Sequence, residues 1–280
     1  MNERFKWRKL KKNDIERVNE MLIRNEKDYV SACAKFIAYK NSNDPVWILG
    51  GTNNISGLII NSKSTLLPVL CDNIEMPRPD FLKNLMRSKK IHSVQGLKDE
   101  VKILEEEIEK SGKLPSDIID YELMSLDKMP EGEGIKTDSN LVLRIPQMSD
   151  INEMAVLQAA YEKEEVLPKG SSFNPDASRF HTANLISGGR ILAAEVDGRL
   201  AGKINVNAVS FTRYQVGGVY VDPQYRGRGI AKRMAYEFIA SLIKEGKDVT
   251  LFVKKNNESA RRLYGALGFQ KSKDYRIAYY

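Results

Sequence analysis

The sequence predicts an α/β protein made of two consecutive domains, and three observations lead to this prediction. The 280 residues are enough for two domains of ordinary size. Strand-like and helix-like patterns alternate in both halves of the chain. Between the halves, the segment 129–139 is polar and interrupted by proline and glycine, as is typical of a linker. We therefore expect an N-terminal domain over 1–128, a linker over 129–139 and a second domain over 140–280.

The first half contains a series of alternating elements. A strand-like start is followed by a helix that Asn13 or Asp14 would cap, with an apolar face formed by Ile15, Val18 and Met21. Further strands are predicted at 46–49, 55–70 and 120–126, and helices at 81–87 and 99–111.

The second half shows stronger patterns. An apolar strand ends near Val221, and a helix with apolar residues in pairs four apart runs from Ile230 until Gly246 ends it. A short alternating strand follows at 248–253. The next helix has Asn257 as its predicted N-cap and Gly268 at the position of a left-handed C-cap.

A weak internal repeat relates the two halves. Trp7–Ile15 aligns with Leu143–Ile151, since each has a strand carrying an arginine, a polar cap and an Asp-Ile pair that opens a helix. Asp120–Leu123 likewise resembles Asp274–Ile277. The two pairs occur in the same order, which favours a first half that is a degenerate copy of the second.

The junction between the strand at Val221 and the helix at Ile230 predicts an anion-binding site. The first N–H groups of a helix have no partner within it, and the helix dipole favours negative charge there. Gly227 and Gly229 place no side chain in the way of a phosphate. Arg226, Arg228, Lys232 and Arg233 would add mobile positive charge.

This junction resembles a motif of the GNAT superfamily of N-acetyltransferases. Arg226, Gly229 and Ala231 match its (Gln/Arg)-x-x-Gly-x-(Gly/Ala) pattern. Downstream, the pattern from Asn257 through Tyr264 to Phe269 is similar to the second signature of the family. The resemblance is specific over about 190–269, and the first half is identified as a GNAT-like copy only through the internal repeat.

The resemblance implies a fold, a cosubstrate and a set of site residues. Each domain would be a central, mostly antiparallel mixed sheet flanked by helices, and the cosubstrate would be acetyl-CoA. Tyr264 would act as general acid toward the leaving thiolate, and Asn257 would contact the pantetheine arm. The remaining cofactor-binding residues would be the strand backbone of Val219, Tyr220 and Val221 and the loop residues Arg226, Gly227, Arg228, Gly229, Ile230 and Ala231.

The general base is not assigned by this resemblance. Glu195, on a predicted strand, is a weak candidate, whereas Glu162, Glu164 and Glu165 could equally form a solvated face. Tyr220 could contact the acceptor or serve only in packing. Because the two cysteines, Cys33 and Cys71, lie in the first half, we expect direct attack by the amine rather than an acyl-cysteine route.

The first half departs from the family where its own anion site would be. The segment 70–80 has no glycine, carries Asp72, Glu75 and Asp80, and contains two prolines that lack N–H groups. It therefore offers no row of amides to a pyrophosphate. We expect a non-catalytic first domain and one cofactor site per chain.

Composition limits the alternatives. No apolar run is long enough to span a membrane, no secretory signal is visible, and no Cys/His spacing indicates a metal, so we expect a cytoplasmic protein with no metal. The net charge of +7 is spread along the chain, which makes nucleic acid an unlikely partner. The main alternative to an enzyme is a non-catalytic acyl-CoA-binding or regulatory module. The acceptor, whether small amine, peptide N-terminus or protein lysine, and the oligomeric state stay open.

Overall fold

The computed structural model describes residues 6–39, 44–50, 55–70, 80–87, 91–128 and 140–280. By contacts, the chain divides into two compact units. The first contains Met1–Met124, Phe252–Asn257 and Lys271–Tyr280, and the second contains Ser125–Leu251 and Glu258–Gln270. These units differ from the predicted domains chiefly near the C-terminus, where two segments belong to the first unit. The predicted linker and the segment 71–79 lie outside the described residues.

The first unit is a sheet with helices packed on it. Its strands are β1 (Trp7–Lys9), β2 (Val46–Gly50), β3 (Ile55–Ser62), β4 (Thr65–Leu70), β5 (Ser93–Leu97), β6 (Asp117–Leu126) and β12 (Gln270–Tyr279). Its helices are α1 (Ile15–Arg24), α2 (Val30–Tyr39), α3 (Asp80–Arg87) and α4 (Lys98–Glu109). The strand order is β1-β2-β3-β4-β5-β12-β6, and β4 with β5 is parallel whereas β5 with β12 is antiparallel.

Most elements of the first unit follow the sequence patterns, with local differences. The apolar run 55–70 forms the hairpin of β3 and β4, because Lys63 and Ser64 adopt positive φ angles of 48° and 68° and turn the chain. The sequence patterns do not predict helix α2 or strand β5. The core packs Trp47, Ile59 and Leu66 of the sheet against Val101 and Leu104 of α4.

The second unit has the corresponding layout. Its strands are β7 (Leu141–Arg144), β8 (Ile191–Val196), β9 (Arg199–Val209), β10 (Arg213–Val221) and β11 (Asp248–Lys254, which enters the first unit at Phe252). Its helices are α5 (Ile151–Tyr161), α6 (Pro175–Ser187), α7 (Ile230–Lys244) and α8 (Glu258–Ala266). The order is β11-β10-β9-β8-β7, antiparallel except for β10 with β11.

Two helices pack on the sheet of the second unit. Helix α7 buries Ile230, Met234 and Phe238, as its periodicity predicted, and packs on β8, β9 and β10. Helix α5 packs on β9 and β10, and its end continues into a π-helical turn over Glu162–Val166. The predicted class, a mixed and mostly antiparallel sheet flanked by helices, is confirmed. None of the described helices is both long and apolar enough to cross a membrane.

Candidate active site

Strand β10 changes its pairing at Gly217 and Gly218. Its parallel register with β11 runs from Arg213–Asp248 to Val216–Leu251 and ends there. On the other side, the register with β9 passes from Gly217–Asn205 directly to Tyr220–Lys203. Gly218 and Val219 therefore form a β-bulge whose residues have no register partner on either neighbouring strand among the described residues. Backbone polar groups of this kind can bind an extended ligand.

The glycine loop after β10 leads into the N-terminus of α7. Gly227 and Gly229 have φ angles of 80° and 76°, a left-handed conformation that glycine adopts at little cost. Gly229 is the N-cap, and the first carbonyl to accept a bond from α7 is its own, from the Arg233 N–H at 3.1 Å. The N–H groups of Ile230, Ala231 and Lys232 thus have no acceptor within the helix. A Cβ on Gly227 would meet nothing within 4 Å, so the cradle is open.

The basic side chains of this loop are less mobile than the sequence predicted. The Arg226 Nε donates to the Val221 carbonyl at 2.9 Å, and a terminal nitrogen donates to Glu164 at 2.9 Å. Arg233 forms an ion pair with Glu237 at 2.6 Å, and the Arg228 guanidinium lies 5.7 Å from the centre of the Tyr225 ring. These contacts leave the backbone amides as the main anion-binding groups of the loop. Arg226 fixes the end of β10 relative to the π-helical turn.

Tyr264 lies on α8, as its motif predicted, and is 7% exposed. Its ring packs edge-to-face on Phe269, with centroids 5.7 Å apart. Burial raises the pKa of Tyr264 above its ordinary value, and the nearby Tyr161 and Glu165 raise the pKa further. The phenol is therefore protonated at neutral pH, which is the state a proton donor requires.

The end of α5 brings a second tyrosine to the bulge. Burial raises the pKa of Tyr161 to about 12, against a hydrogen bond from the backbone of Gly218. The Tyr161 ring lies edge-to-face with Tyr220, with centroids 6.5 Å apart. Tyr220 is 6% exposed and packs in the apolar cluster under α5, which supports the packing interpretation of this residue. No pattern in the sequence indicates a role for Tyr161.

The π-helical turn carries the three carboxylates that the sequence left unassigned. Glu162 accepts a hydrogen bond from Gln158 at 2.7 Å, and Glu164 is the ion-pair partner of Arg226. Glu165 interacts electrostatically with Tyr161 and Tyr264. The turn is thus directed at the site rather than being only a solvated face. π-Helical turns occur often at functional sites.

Glu195, the weak base candidate, lies on β8, which is separated from β10 by β9. Its carboxylate accepts from the Arg144 Nε at 2.7 Å, and Arg144 also binds both carboxylate oxygens of Asp150, at 2.8 and 3.1 Å. This network ties β7 and β8 to the start of α5. The contacts favour a structural role for Glu195, and its role as a base stays a prediction.

Lys203 of β9 belongs to the site but is not part of any motif recognised in the sequence. It is fully buried, and its ammonium nitrogen donates to the Gly218 carbonyl at 2.8 Å. The sequence does contain a pattern that could have indicated this residue. Every second position of the strand is polar at Lys203, Asn205 and Asn207, so these three side chains share one face of an otherwise apolar strand.

Asn257 directly precedes α8, the predicted N-cap position, and its N–H donates to the Lys254 carbonyl at 2.9 Å.

Within the described ranges, no group of three or more His, Cys, Asp or Glu residues could hold a metal ion.

Comparisons with known proteins agree with this geometry. Residues 156–269 match the model of the acetyltransferase (GNAT) family. The N-alpha-acetyltransferase RimI of Mycobacterium tuberculosis is 34% identical over 83 residues, which cover 29% of this chain and 51% of RimI. The chain therefore aligns with about half the length of this curated relative.

Two solved structures extend the likeness in fold to nearly the whole chain. A Drosophila protein has a TM-score of 0.68 at 12% identity, with 99% of each chain covered. A tandem GNAT protein from the clavulanic acid biosynthesis pathway has a TM-score of 0.60 at 13% identity, covering 98% of this chain and 97% of its own. At these identities the likeness shows the fold. The resemblance to the GNAT acetyltransferases seen in the sequence is confirmed over residues 156–269.

Proposed function

We propose that the second unit is an acetyl-CoA-dependent N-acetyltransferase that transfers the acetyl group to a primary amine by direct attack in a ternary complex. The observation that carries this proposal is the bulged strand β10, which has no register partner on either neighbouring strand at Gly218 and Val219 and leads into the glycine N-cap of α7. The strand offers polar groups to a pantetheine arm, and the helix start offers amides to a pyrophosphate. The family match over residues 156–269 supports this use of both.

The residues have separate roles in this reaction. The loop from Arg226 to Ala231 holds the pyrophosphate through its amides, and the backbone of Val219 to Val221 binds the pantetheine and polarises the thioester carbonyl. Asn257 contacts the same arm. The acetyl donor supplies the activated thioester. A neutral amine nitrogen forms a bond to the carbonyl carbon and the carbon–sulfur bond breaks, so that coenzyme A leaves as the thiolate. The proton that the amine nitrogen loses passes to water, and the thiolate takes up a proton from water after it leaves the site.

Tyr264 assists the departure of the sulfur. An ordinary thiol has a pKa of about 8.5, whereas the pKa of Tyr264 is raised above that of a free phenol. Complete proton transfer from the phenol to the thiolate is therefore unfavourable. We expect Tyr264 to stabilise the developing thiolate chiefly by donating a hydrogen bond.

The acceptor binds as a cation that must become neutral. An alkyl amine has a pKa of about 10, so it reaches the site mainly as ammonium. The three carboxylates of the π-helical turn supply negative charge beside Tyr161, Tyr220 and Lys203. This charge favours ammonium acceptors over acidic ones.

Calorimetry with coenzyme A, combined with an acetylation assay read by mass over a panel of amines, tests the proposal. We expect one binding site per chain and mass gains of one acetyl group on some amines. Tight binding with no transfer to small amines, peptide N-termini or protein lysines would instead identify an acyl-CoA-binding module. Absence of binding would refute both.

A further inference from the structure

Lys203 occupies an unusual environment for a lysine. Its side chain is fully buried on β9, and lysines are rarely buried in this way unless the ammonium group has a specific partner. Its nitrogen donates to the Gly218 carbonyl at 2.8 Å and to the Asn205 Oδ1 at 3.0 Å. The Asn205 amide in turn donates to the Asn207 Oδ1 at 2.8 Å. The lysine is thus directed at the backbone of the bulge rather than at a carboxylate.

The bulge is shaped around this lysine. Gly218 has a φ angle of 61°, and a Cβ built on it would lie 1.9 Å from the Asn205 Oδ1 and 2.8 Å from the Lys203 nitrogen. Only glycine fits at this position. Because a trans peptide is planar, the Gly218 carbonyl and the Val219 N–H point in opposite directions. A group that fixes the carbonyl also fixes the direction of that N–H.

We propose that Lys203 is a positioning residue that holds the Gly218 carbonyl and so aims the Val219 N–H at the thioester oxygen of the acetyl donor. The inference rests on the proposed function, in which the backbone of β10 polarises the thioester. Preorganised donors accelerate acyl transfer because they need no reorientation as charge develops on the oxygen. Without Lys203, the Val219 N–H would have to be ordered during the reaction.

The contact depends on pH. Burial lowers the pKa of Lys203 to about 7, and Glu162 of the π-helical turn opposes that shift. The other titratable groups that face it are Tyr161, whose ring centre lies 4.5 Å from the nitrogen, and His181 of α6. An ammonium group binds a carbonyl more strongly than a neutral amine does. The hold on Gly218 therefore strengthens as the pH falls through about 7.

A nuclear magnetic resonance experiment reads this contact directly in the wild-type protein. The pair Gly-Val occurs once in the sequence, at Gly218 and Val219. Labelling glycine with 13C at the carbonyl and valine with 15N therefore selects a single amide signal. We expect this signal to titrate with a midpoint near pH 7 and to shift in Lys203→Met. A signal that neither titrates near that pH nor responds to the substitution would overturn the proposal.

Steady-state kinetics then test the consequence. In Lys203→Met we expect kcat to fall by roughly 10- to 100-fold, less than the loss of a whole oxyanion donor, with little change in KM for acetyl-CoA. The ratio of wild-type to variant kcat should grow as the pH falls through about 7. Ionisation of the acceptor amine cancels in this ratio.

A matched control is Lys247→Met. Lys247 also binds backbone carbonyls, of Ser210 at 3.2 Å and Phe211 at 3.0 Å, but at the opposite end of β10 from the bulge. We expect wild-type kcat for this variant. Wild-type kcat at every pH in Lys203→Met would refute the positioning role. If that variant does not fold, the wild-type titration of the Val219 signal decides. A titrating signal in a chain that does not bind acetyl-CoA would refute the proposed function but not the contact.

Discussion

Strands β4 and β10 occupy corresponding positions in the sheets of their units. In each unit a gap opens where the parallel pairing with the next strand ends, but the residues beside the gap differ. Each pairs in parallel with the next strand in its sheet, and the register ends at Leu66–Val94 for β4 and at Val216–Leu251 for β10. Two residues further along stand Pro68 in β4 and Gly218 in β10. Proline has no N–H to offer, whereas Gly218 forms a bulge. The register of β4 with β3 is continuous.

The gap beside β4 is filled by the first unit's own side chains. The Glu100 Oε1 accepts from the Leu70 N–H at 2.9 Å and from the Tyr29 hydroxyl at 2.5 Å. The Pro68 ring would lie 3.2 Å from a Cβ on Gly96 of β5. A donor that an extended ligand could bind is thus already satisfied within the chain. The same arrangement of strands is thus used in two ways. In β10 backbone groups are left for a ligand, whereas in β4 a backbone group bonds to a side chain of the same unit and stabilises its fold.

The largest effect is expected from closing the open site. Gly229→Glu places a carboxylate at the start of α7, where it would repel the pyrophosphate. We expect coenzyme A binding to be lost by calorimetry while the circular dichroism spectrum is kept. Gly246→Glu is the control, because Gly246 follows the other end of the same helix with a φ angle of 80° and so carries the same backbone strain. Equal affinity in both variants would contradict the assignment of the loop.

The second effect concerns helices α8 and α4. They follow strands β11 and β5, which are the parallel partners of β10 and β4. The seventh residue of α8 is Tyr264, and the seventh of α4 is Leu104, which has no hydroxyl. In Tyr264→Phe we expect kcat to fall by roughly 100-fold with binding of acetyl-CoA unchanged, because the developing thiolate loses a hydrogen-bond donor. Tyr275→Phe removes an equally buried hydroxyl from the first unit and should leave kcat unchanged. Wild-type turnover in Tyr264→Phe would make Tyr264 a packing residue only.

The smallest effect is on protein stability and concerns Glu100, which fills the gap beside β4. Burial raises the pKa of Glu100 to about 7, above its ordinary value of 4.5. The folded state therefore binds this proton more tightly, and the free energy of unfolding decreases as the pH rises from about 4.5 to about 7. We expect Glu100→Gln to melt a few degrees above wild type at pH 8 and close to it at pH 5.

Glu106→Gln, on the exposed side of the same helix, should match wild type at both pH values. A melting difference between Glu100→Gln and wild type that does not change with pH would show that Glu100 is not protonated in the folded state.

The sequence predicted those parts of the site that depend on neighbouring residues. The glycines at 227 and 229 and the apolar pairs of α7 are local patterns, and the structure follows them. Lys203 and Tyr161 acquire their roles from the register of β9 with β10 and from the end of α5, and a single sequence does not encode these placements in any short segment. The ion pair of Arg226 with Glu164 joins residues 62 positions apart, so the sequence overstated the mobility of that arginine. The same limit explains why the place of β12 in the first unit was not foreseen.

The pairing of β12 with β5 also constrains how the chain folds during synthesis. Residues 93–97 leave the ribosome long before residues 275–279, their antiparallel partners. The first unit therefore has an incomplete sheet edge while the entire second half is being translated. Such an edge is a site of mispairing between nascent chains, and a chaperone or slow translation would protect it. Cutting the chain at the predicted linker would separate β5 from its partner strand, so the two halves need to be produced together.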